Sequence, residues 1–126
     1  MRPAVNRRRG KDMGKIKVSF HPEIEGICVI EPQVFGDERG YFTETYNLND
    51  MAENGLNMTF VQDNQSMSRK GVLRGLHFQK QFPQGKLVRV INGRVYDVAV
   101  DLRAGSASFG KYFGIEISAE NRKQFY

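Results

Sequence analysis

The chain has 126 residues, of which 40% are hydrophobic and 26% are charged, and this length and composition are typical of one globular domain. Its single cysteine, Cys28, excludes an intramolecular disulfide, and no apolar run approaches the roughly 20 residues that a membrane-spanning helix requires. The apolar neighbours of Cys28 predict that this cysteine is a small core residue.

The net charge of +5 is confined to the first 15 residues. These contain six basic residues and one acid, whereas the rest of the chain contains 13 basic and 13 acidic residues. We therefore predict a basic, disordered tail at residues 1–15 and one domain at residues 16–126, without a basic stripe for nucleic acid. There are two alternatives for the tail: it is an RNA-binding arm, or it is an upstream extension of a chain that begins at Met13. Because no apolar segment follows the basic residues, as it would in a secretory signal, we expect a cytoplasmic protein without membrane contact.

Alternation of apolar and polar residues, which is the period of a half-buried strand, dominates the rest of the chain. Many short strands with one helix predict an all-β fold, either an antiparallel jelly roll or a barrel. The predicted strands, in chain order, cover residues 15–20, 27–30, 41–46, 59–63, 72–79, 86–91, 94–101 and 112–118.

Two local signals add detail to this pattern. Asn47 is a suitable N-cap for one short helix over residues 48–53, which Asn54-Gly55 would end. Asn92-Gly93 is the strongest short-range hairpin signal in the chain, and it predicts that residues 87–91 pair with residues 94–98.

The segment from residue 70 to residue 91 carries the clearest candidate chemistry. In the predicted strand at residues 72–79, His77 shares a face with Gly75, which leaves room for a ligand, and Arg74 lies on the opposite face. A neutral imidazole can accept a proton near pH 7, and the nearby Lys86 could stabilise the oxyanion that forms when a proton leaves a carbon beside a carbonyl. The ordinary alternative for a single histidine in a strand is a packed or surface residue.

The same segment argues against a metal site. The spacing of five residues between Gly71 and His77 resembles the start of the motif of metal-binding cupins. However, Gln79 occupies the position of the second histidine of that motif. No acid occurs between residues 80 and 96, and His21 lies in a different segment. One histidine without a neighbouring carboxylate or thiolate does not make a three-ligand site, so we expect no metal.

Four segments match one known family in order. They are GDERGYFTETYN at residues 36–47, FVQDNQSMSRKGVLRGLHFQ at 60–79, QGKLVRVINGRVYDVAVDLRAGSASFGK at 84–111 and ISAEN at 117–121. Over about residues 27–126 the chain closely resembles the dTDP-4-dehydrorhamnose 3,5-epimerase family. The resemblance implies a cupin-like antiparallel jelly-roll barrel with one short helix, and an isomerase that uses no cofactor.

The resemblance also implies a substrate and a set of site residues. The family converts dTDP-4-dehydro-6-deoxyglucose to dTDP-4-dehydro-L-rhamnose by inverting C3 and C5, a step of dTDP-L-rhamnose biosynthesis. By resemblance His77 is the base and Lys86 the enolate stabiliser. Arg39 and Arg74 match positions that bind the diphosphate, whose oxygens suit planar guanidinium donors. In a family homodimer, Arg39 and Glu44 would reach the partner's site. The remaining substrate-binding positions match Glu44, Gln62 and Asn64.

The sequence differs from the family pattern at its end. Family members continue past the position of Tyr126 with a segment like IPxGFAHGF, which leads to a second histidine, a tyrosine acid and an aspartate that orients the base. We therefore expect the N-terminal portion of an epimerase, without the last strands of the barrel. The alternatives to an active 3,5-epimerase are a non-catalytic fragment that binds nucleotide sugar or only assembles, and a 3-epimerase or ketoisomerase of the same fold.

Two further groups of residues are expected to be structural. Asp97 and Asp101 border residues 98–100 and are predicted to pair with arginines at positions 89, 94 or 103. Large aromatic side chains are predicted to fill the barrel core, namely Tyr41, Phe42, Phe60, Phe78, Phe109 and Phe113.

Overall fold

The computed structural model describes residues 16–126, so the predicted basic tail at residues 1–15 lies outside the described part of the chain. The described residues form eight short strands and one helix. Their bounds are β1 (Ile16–Phe20), β2 (Cys28–Pro32), β3 (Val34–Asp37), β4 (Gly40–Thr43), α1 (Leu48–Glu53), β5 (Val88–Arg89), β6 (Arg94–Val100), β7 (Tyr112–Ser118) and β8 (Gln124–Phe125).

The strands form three antiparallel groups. A four-stranded sheet has the order β1-β2-β8-β5, while β3 pairs with β4 and β6 pairs with β7. This arrangement confirms the prediction of an antiparallel all-β chain with one short helix. Within residues 16–126, no helix has the length and apolar character needed to cross a membrane.

The buried core lies between the four-stranded sheet and α1. Cys28 and Ile30 of β2 point to this face and pack with Met51 of α1 and with Leu56, and all four side chains are buried. Burial raises the pKa of the Cys28 thiol to about 11, so the cysteine behaves as a small apolar residue. The predicted core role of Cys28 is confirmed.

The helix begins and ends where the sequence predicts. The Asn47 side-chain oxygen accepts hydrogen bonds from the backbone N–H groups of Asn49 (3.0 Å) and Asp50 (3.1 Å), which satisfies two donors of the first turn. Asn54 is the C-cap, and the backbone N–H of Leu56 then bonds to the carbonyl of Met51 at 2.9 Å. These contacts involve only neighbouring residues, so local sequence is sufficient to specify them.

Two predicted strands are wrong. Residues 59–63 and 72–79 have no regular strand structure, and Val61 and Leu73 are 92% and 88% exposed. A strand is stabilised by the strand beside it, and in the described part of the chain neither segment has such a neighbour. In addition, Gly75 has a φ of +120°, which interrupts any extended run from residue 72 to residue 79. The predicted strand at residues 86–91 shrinks to the two residues of β5.

The predicted Asn92-Gly93 hairpin is also wrong in its pairing. A bend does occur there, and Gly93 has a φ of +76°. However, β5 pairs with β8, while all seven residues of β6 pair with β7, from Arg94 opposite Ser118 to Val100 opposite Tyr112. The bend therefore carries the chain from one sheet to another, because each flanking segment has a different partner.

The aromatic residues are more exposed than predicted. Tyr41, Phe42, Phe78 and Phe109 are between 60% and 72% exposed. Tyr41 and Phe42 lie in β4 of a two-stranded group, and Phe78 and Phe109 lie outside any strand. No second sheet therefore packs over these four side chains within residues 16–126. Phe60 and Phe113 are half-buried, and the ring of Phe113 meets that of Phe125 edge-on at 5.6 Å, joining β7 to the four-stranded sheet.

Asp101 has the structural role that the sequence predicts. Its buried carboxylate accepts hydrogen bonds from Nε (2.9 Å) and Nη2 (3.0 Å) of Arg103 and from the hydroxyls of Ser106 and Ser108, both at 2.6 Å. These donors, above all the Arg103 guanidinium, hold the pKa of Asp101 well below its usual range. Asp97 has no such ion pair in the described chain, and burial raises its pKa. Of the three predicted arginine partners, Arg103 is the one that pairs.

Candidate functional site

The seven predicted site residues lie in two parts of the chain. Arg39 is in the turn between β3 and β4, and Glu44 directly follows β4. The other five lie in the irregular, exposed segment that joins α1 to β5, at Gln62, Asn64, Arg74, His77 and Lys86.

The turn residue Arg39 is held by a neighbouring carboxylate. Its Nε lies 3.2 and 3.3 Å from the two Asp37 oxygens, its Nη2 lies 2.7 Å from one of them, and its backbone N–H bonds to Asp37 at 2.8 Å. The pair is exposed, and the hydrogen bonds from Arg39 lower the pKa of Asp37. The guanidinium is therefore oriented at the tip of the hairpin and remains open to solvent on its other side.

The guanidinium of Arg74 organises the loop in which it lies. Its Nε donates to the hydroxyl of Ser68 at 2.9 Å, and its Nη2 donates to the carbonyl of Met67 at 3.3 Å. Because both acceptors are neutral and Arg74 is exposed, its positive charge is available to an anionic ligand.

The structure places the imidazole of His77 close to Gly75. A Cβ atom at position 75 would lie 3.5 Å from Cδ2 and 3.4 Å from the backbone nitrogen of His77, which are ordinary contact distances, so the φ of +120° rather than a lack of space favours glycine there. His77 is exposed, and its catalytic role stays a prediction. The glycine has the place beside the histidine that the sequence suggests, although the segment is not a strand.

Lys86 follows a second close contact. A Cβ atom at Gly85 would lie 2.6 Å from the hydroxyl oxygen of Tyr126, so the tyrosine ring packs directly on the Gly85 backbone. Tyr126 is itself fixed to the sheet by two backbone hydrogen bonds with Cys28, of 2.9 and 3.0 Å. This packing fixes the point from which the exposed Lys86 side chain extends.

The remaining predicted residues make few contacts. Gln62 and Asn64 are exposed, and Glu44 is half-buried. Among residues 16–126, no hydrogen bond or ion pair joins any two of the seven site residues. No group of three histidine, cysteine or acidic side chains in that range is arranged to hold a metal ion.

A cluster of cations that the sequence analysis did not single out lines a small cleft elsewhere. We call it the basic cleft; its volume is about 110 Å³, and it lies where the end of the four-stranded sheet meets β4 and the β7–β8 connection. The adjacent basic pair at residues 122 and 123 was the only sequence signal for it, because the third cation comes from a distant segment. The residues that define the cleft are Arg89, Arg122 and Lys123, with Tyr41, Thr43 and Gln124.

Comparison with known protein families identifies relatives over most of the chain. Residues 21–126 match the family model described as dTDP-4-dehydrorhamnose 3,5-epimerase. The dTDP-4-dehydrorhamnose 3,5-epimerase of Methanothermobacter thermautotrophicus is 58% identical over 103 residues, which cover 82% of this chain and 56% of the relative. The chain therefore spans a little over half the length of the curated relatives that it matches.

Solved structures agree with this match. The dTDP-4-dehydrorhamnose 3,5-epimerase of Elizabethkingia anophelis superposes with a TM-score of 0.80 at 56% identity, covering 88% of this chain and 61% of that one. The dTDP-6-deoxy-D-glucose-3,5-epimerase of Legionella pneumophila, solved in complex with dTDP-4-keto-L-rhamnose, gives 0.79 at 49% identity, covering 87% and 58%. These relatives have the cupin-like jelly-roll fold, which confirms the predicted fold class. The chain belongs to the dTDP-4-dehydrorhamnose 3,5-epimerase family.

Proposed function

We propose that this protein is a cofactor-free isomerase that inverts C3 and C5 of dTDP-4-dehydro-6-deoxyglucose to give dTDP-4-dehydro-L-rhamnose. The observation that carries the proposal is the family match over residues 21–126, which include both His77 and Lys86. The sugar nucleotide in the Legionella relative supports the substrate class. We further propose that the protein acts in the cytoplasm, in dTDP-L-rhamnose biosynthesis.

The proposed chemistry requires a base and an electrophile beside one ketone. A proton on C3 or C5 is acidic because the electron pair that it leaves can move into the C4 carbonyl and form an enolate. His77 takes the proton, and the ammonium group of Lys86 stabilises the negative oxygen. A proton delivered to the opposite face of the carbon then regenerates the ketone with inverted configuration. Both side chains are exposed, which is compatible with a substrate entering from solvent.

Binding of the diphosphate is proposed for the two arginines. Arg74 has its guanidinium oriented by Ser68 and Met67 while its charge stays uncompensated within the described chain, and such a group suits a phosphate oxygen. Arg39 extends from the tip of the β3–β4 hairpin, where it is 86% exposed, so it can reach a neighbouring protomer. This exposure supports the proposal of a homodimer in which Arg39 and Glu44 complete the partner's site, with Gln62 and Asn64 as further sugar-nucleotide contacts.

A second candidate is binding of the sugar nucleotide without turnover. It is favoured by the lack of contacts among the seven site residues in residues 16–126. In this case Arg74 would bind the diphosphate, but His77 and Lys86 would not act on the sugar.

Isotope exchange separates the two candidates. The protein is incubated with dTDP-4-dehydro-6-deoxyglucose in deuterated water, and the mass of the recovered sugar nucleotide is followed over time. Epimerisation predicts the gain of two deuterium atoms, one at C3 and one at C5, at a rate proportional to protein concentration. A protein that binds thymidine diphosphate, yet leaves the mass of the sugar unchanged over the no-protein control, would contradict the enzymatic proposal and support binding alone.

A further inference from the structure

None of the seven residues proposed for epimerisation lines the basic cleft. Arg89, Gln124 and Ile30 are paired across β5, β8 and β2, so they lie in one row on the sheet face that packs against α1. Likewise, Tyr41 and Thr43 line the cleft from β4, and because successive residues alternate in a strand, Phe42 points away from it. Glu44, one residue past the end of β4, does not line the cleft.

The charge in this cleft is not compensated. Arg122 and Lys123 are half-buried, Arg89 extends beside them, and no acidic residue lines the cleft. Within residues 16–126, none of the three cations lies within 4.0 Å of a carboxylate, although four other cations in that range do. Like charges that are partly removed from water, as those of Arg122 and Lys123 are, raise the free energy of the fold unless an anion joins them. The cleft thus has the electrostatic character of an anion site.

The position of Arg122 is tightly defined. Its guanidinium carbon lies 4.0 Å above the centre of the Tyr41 ring, and its Nε is buried without a hydrogen-bond partner in the described chain. The Arg122 backbone has a φ of +52°, in the left-handed region that favours glycine. The contact with Tyr41 therefore holds the Arg122 guanidinium in place at the cleft.

The dimensions of the cleft limit the ligand. A volume of about 110 Å³ is below the roughly 300–1,000 Å³ of pockets for drug-sized ligands, and it suits a small oxyanion. Gln124 closes the floor of the cleft, because its side chain is buried and its amide nitrogen donates to the carbonyl of Thr45 at 2.8 Å. We propose that the basic cleft binds a phosphate group, either free or as the end of a phosphorylated small molecule, at a site separate from the proposed sugar-nucleotide site.

Thermal unfolding of the 126-residue chain tests this proposal with inorganic phosphate as the probe. Sodium phosphate should raise the unfolding temperature in a saturable way, beyond sodium chloride at the same ionic strength, because a ligand that binds only the folded state stabilises it. Arg122→Gly is the key variant, since glycine suits the backbone conformation at position 122 and removes only the side chain. It should keep or raise the unfolding temperature without phosphate, and weaken phosphate binding by roughly tenfold or more.

Two controls and one second ligand complete the experiment. Arg94→Ala removes a cation outside the cleft, and Arg74→Ala removes one assigned to the sugar-nucleotide site, so both should keep the effect of phosphate. Lys123→Ala should weaken it as Arg122→Gly does. Thymidine diphosphate tests whether the two sites are separate: its binding should weaken in Arg74→Ala and stay at the wild-type level in Arg122→Gly, and a loss in both variants would contradict a separate phosphate site. An equal response to phosphate in wild type and Arg122→Gly, or no response beyond that to chloride, would overturn the proposal.

Discussion

At the residue scale, the proposed function depends on a few side chains whose neighbours are already in place. Gly75 lies beside His77, Tyr126 packs on the backbone beside Lys86, and Ser68 orients Arg74. The residue types follow from the sequence, while the role expected of Gly75, which is room for a ligand, stays a prediction. The contact with Tyr126 could not be predicted, because it joins residues that are 41 positions apart in the chain and no local pattern connects them.

The oriented guanidinium of Arg74 leads to a prediction for nucleotide binding. Arg74→Ala should raise the Kd for thymidine diphosphate by roughly 10- to 150-fold, corresponding to about 1.5–3 kcal/mol for one charge-assisted contact. Isothermal titration calorimetry at fixed salt concentration would measure the change. Arg94→Ala, which removes the same charge from β6, should bind nearly as wild type. Equal affinities for wild type and Arg74→Ala would rule out the role assigned to Arg74.

The buried Asp101 carboxylate leads to a prediction for pH dependence. Its pKa is lowered in the folded state from about 3.9 in the unfolded chain, so its stabilising contribution is present above pH 4 and is lost as the pH falls below that value. Asp101→Asn should therefore lower the unfolding temperature at pH 7, and should flatten its decrease between about pH 5 and pH 2. Glu120→Gln, at an exposed position, is the matched control and should retain the wild-type profile. A wild-type pH profile in Asp101→Asn would contradict this account of the 101–108 loop.

At the element scale, the sequence was most informative where structure depends on neighbouring residues. The bounds of α1 and β7 agree with the prediction, since a cap and a regular alternation are both local patterns. The segments at 59–63 and 72–79 also have strand-like sequences, yet they are not strands, because a local pattern does not supply a partner. The bend at Asn92-Gly93 teaches the same lesson: its turn is local, whereas the pairing of β5 and β6 is decided by β8 and β7.

The N-cap of α1 can be tested directly. Asn47→Ala leaves two backbone donors of the first turn without their acceptor, and should lower the free energy of unfolding by about 0.5–2 kcal/mol. Asn49→Ala provides a matched control, because it removes the same side chain from an exposed position inside the helix, where alanine is the better helix former. Urea denaturation followed by circular dichroism would compare the two variants. Asn49→Ala should be at least as stable as wild type, and a larger loss there than in Asn47→Ala would refute the cap assignment.

At the scale of the whole molecule, four ordered segments were enough to indicate the family, while the arrangement of side chains required the structure. Family resemblance transfers residue identities such as His77 and Arg39, so the candidate site could be named in advance. The basic cleft could not, because it combines β4, the end of β5 and the β7–β8 connection, which are brought together only by the order of strands in the sheet. The two proposals are therefore independent: one rests on sequence similarity, and the other on charge and packing.

The central claim is that His77 removes the proton beside the ketone, and deuterium exchange in two matched variants tests it most directly. His77→Ala and Gln79→Ala change exposed residues two positions apart, but only the first removes the proposed base. With dTDP-4-dehydro-6-deoxyglucose in deuterated water, resolved by proton NMR at C3 and C5, wild type and Gln79→Ala should lose both signals. His77→Ala should retain both, with the rate of exchange reduced by at least about 10²-fold. Exchange at both carbons in His77→Ala at the wild-type rate would contradict the account.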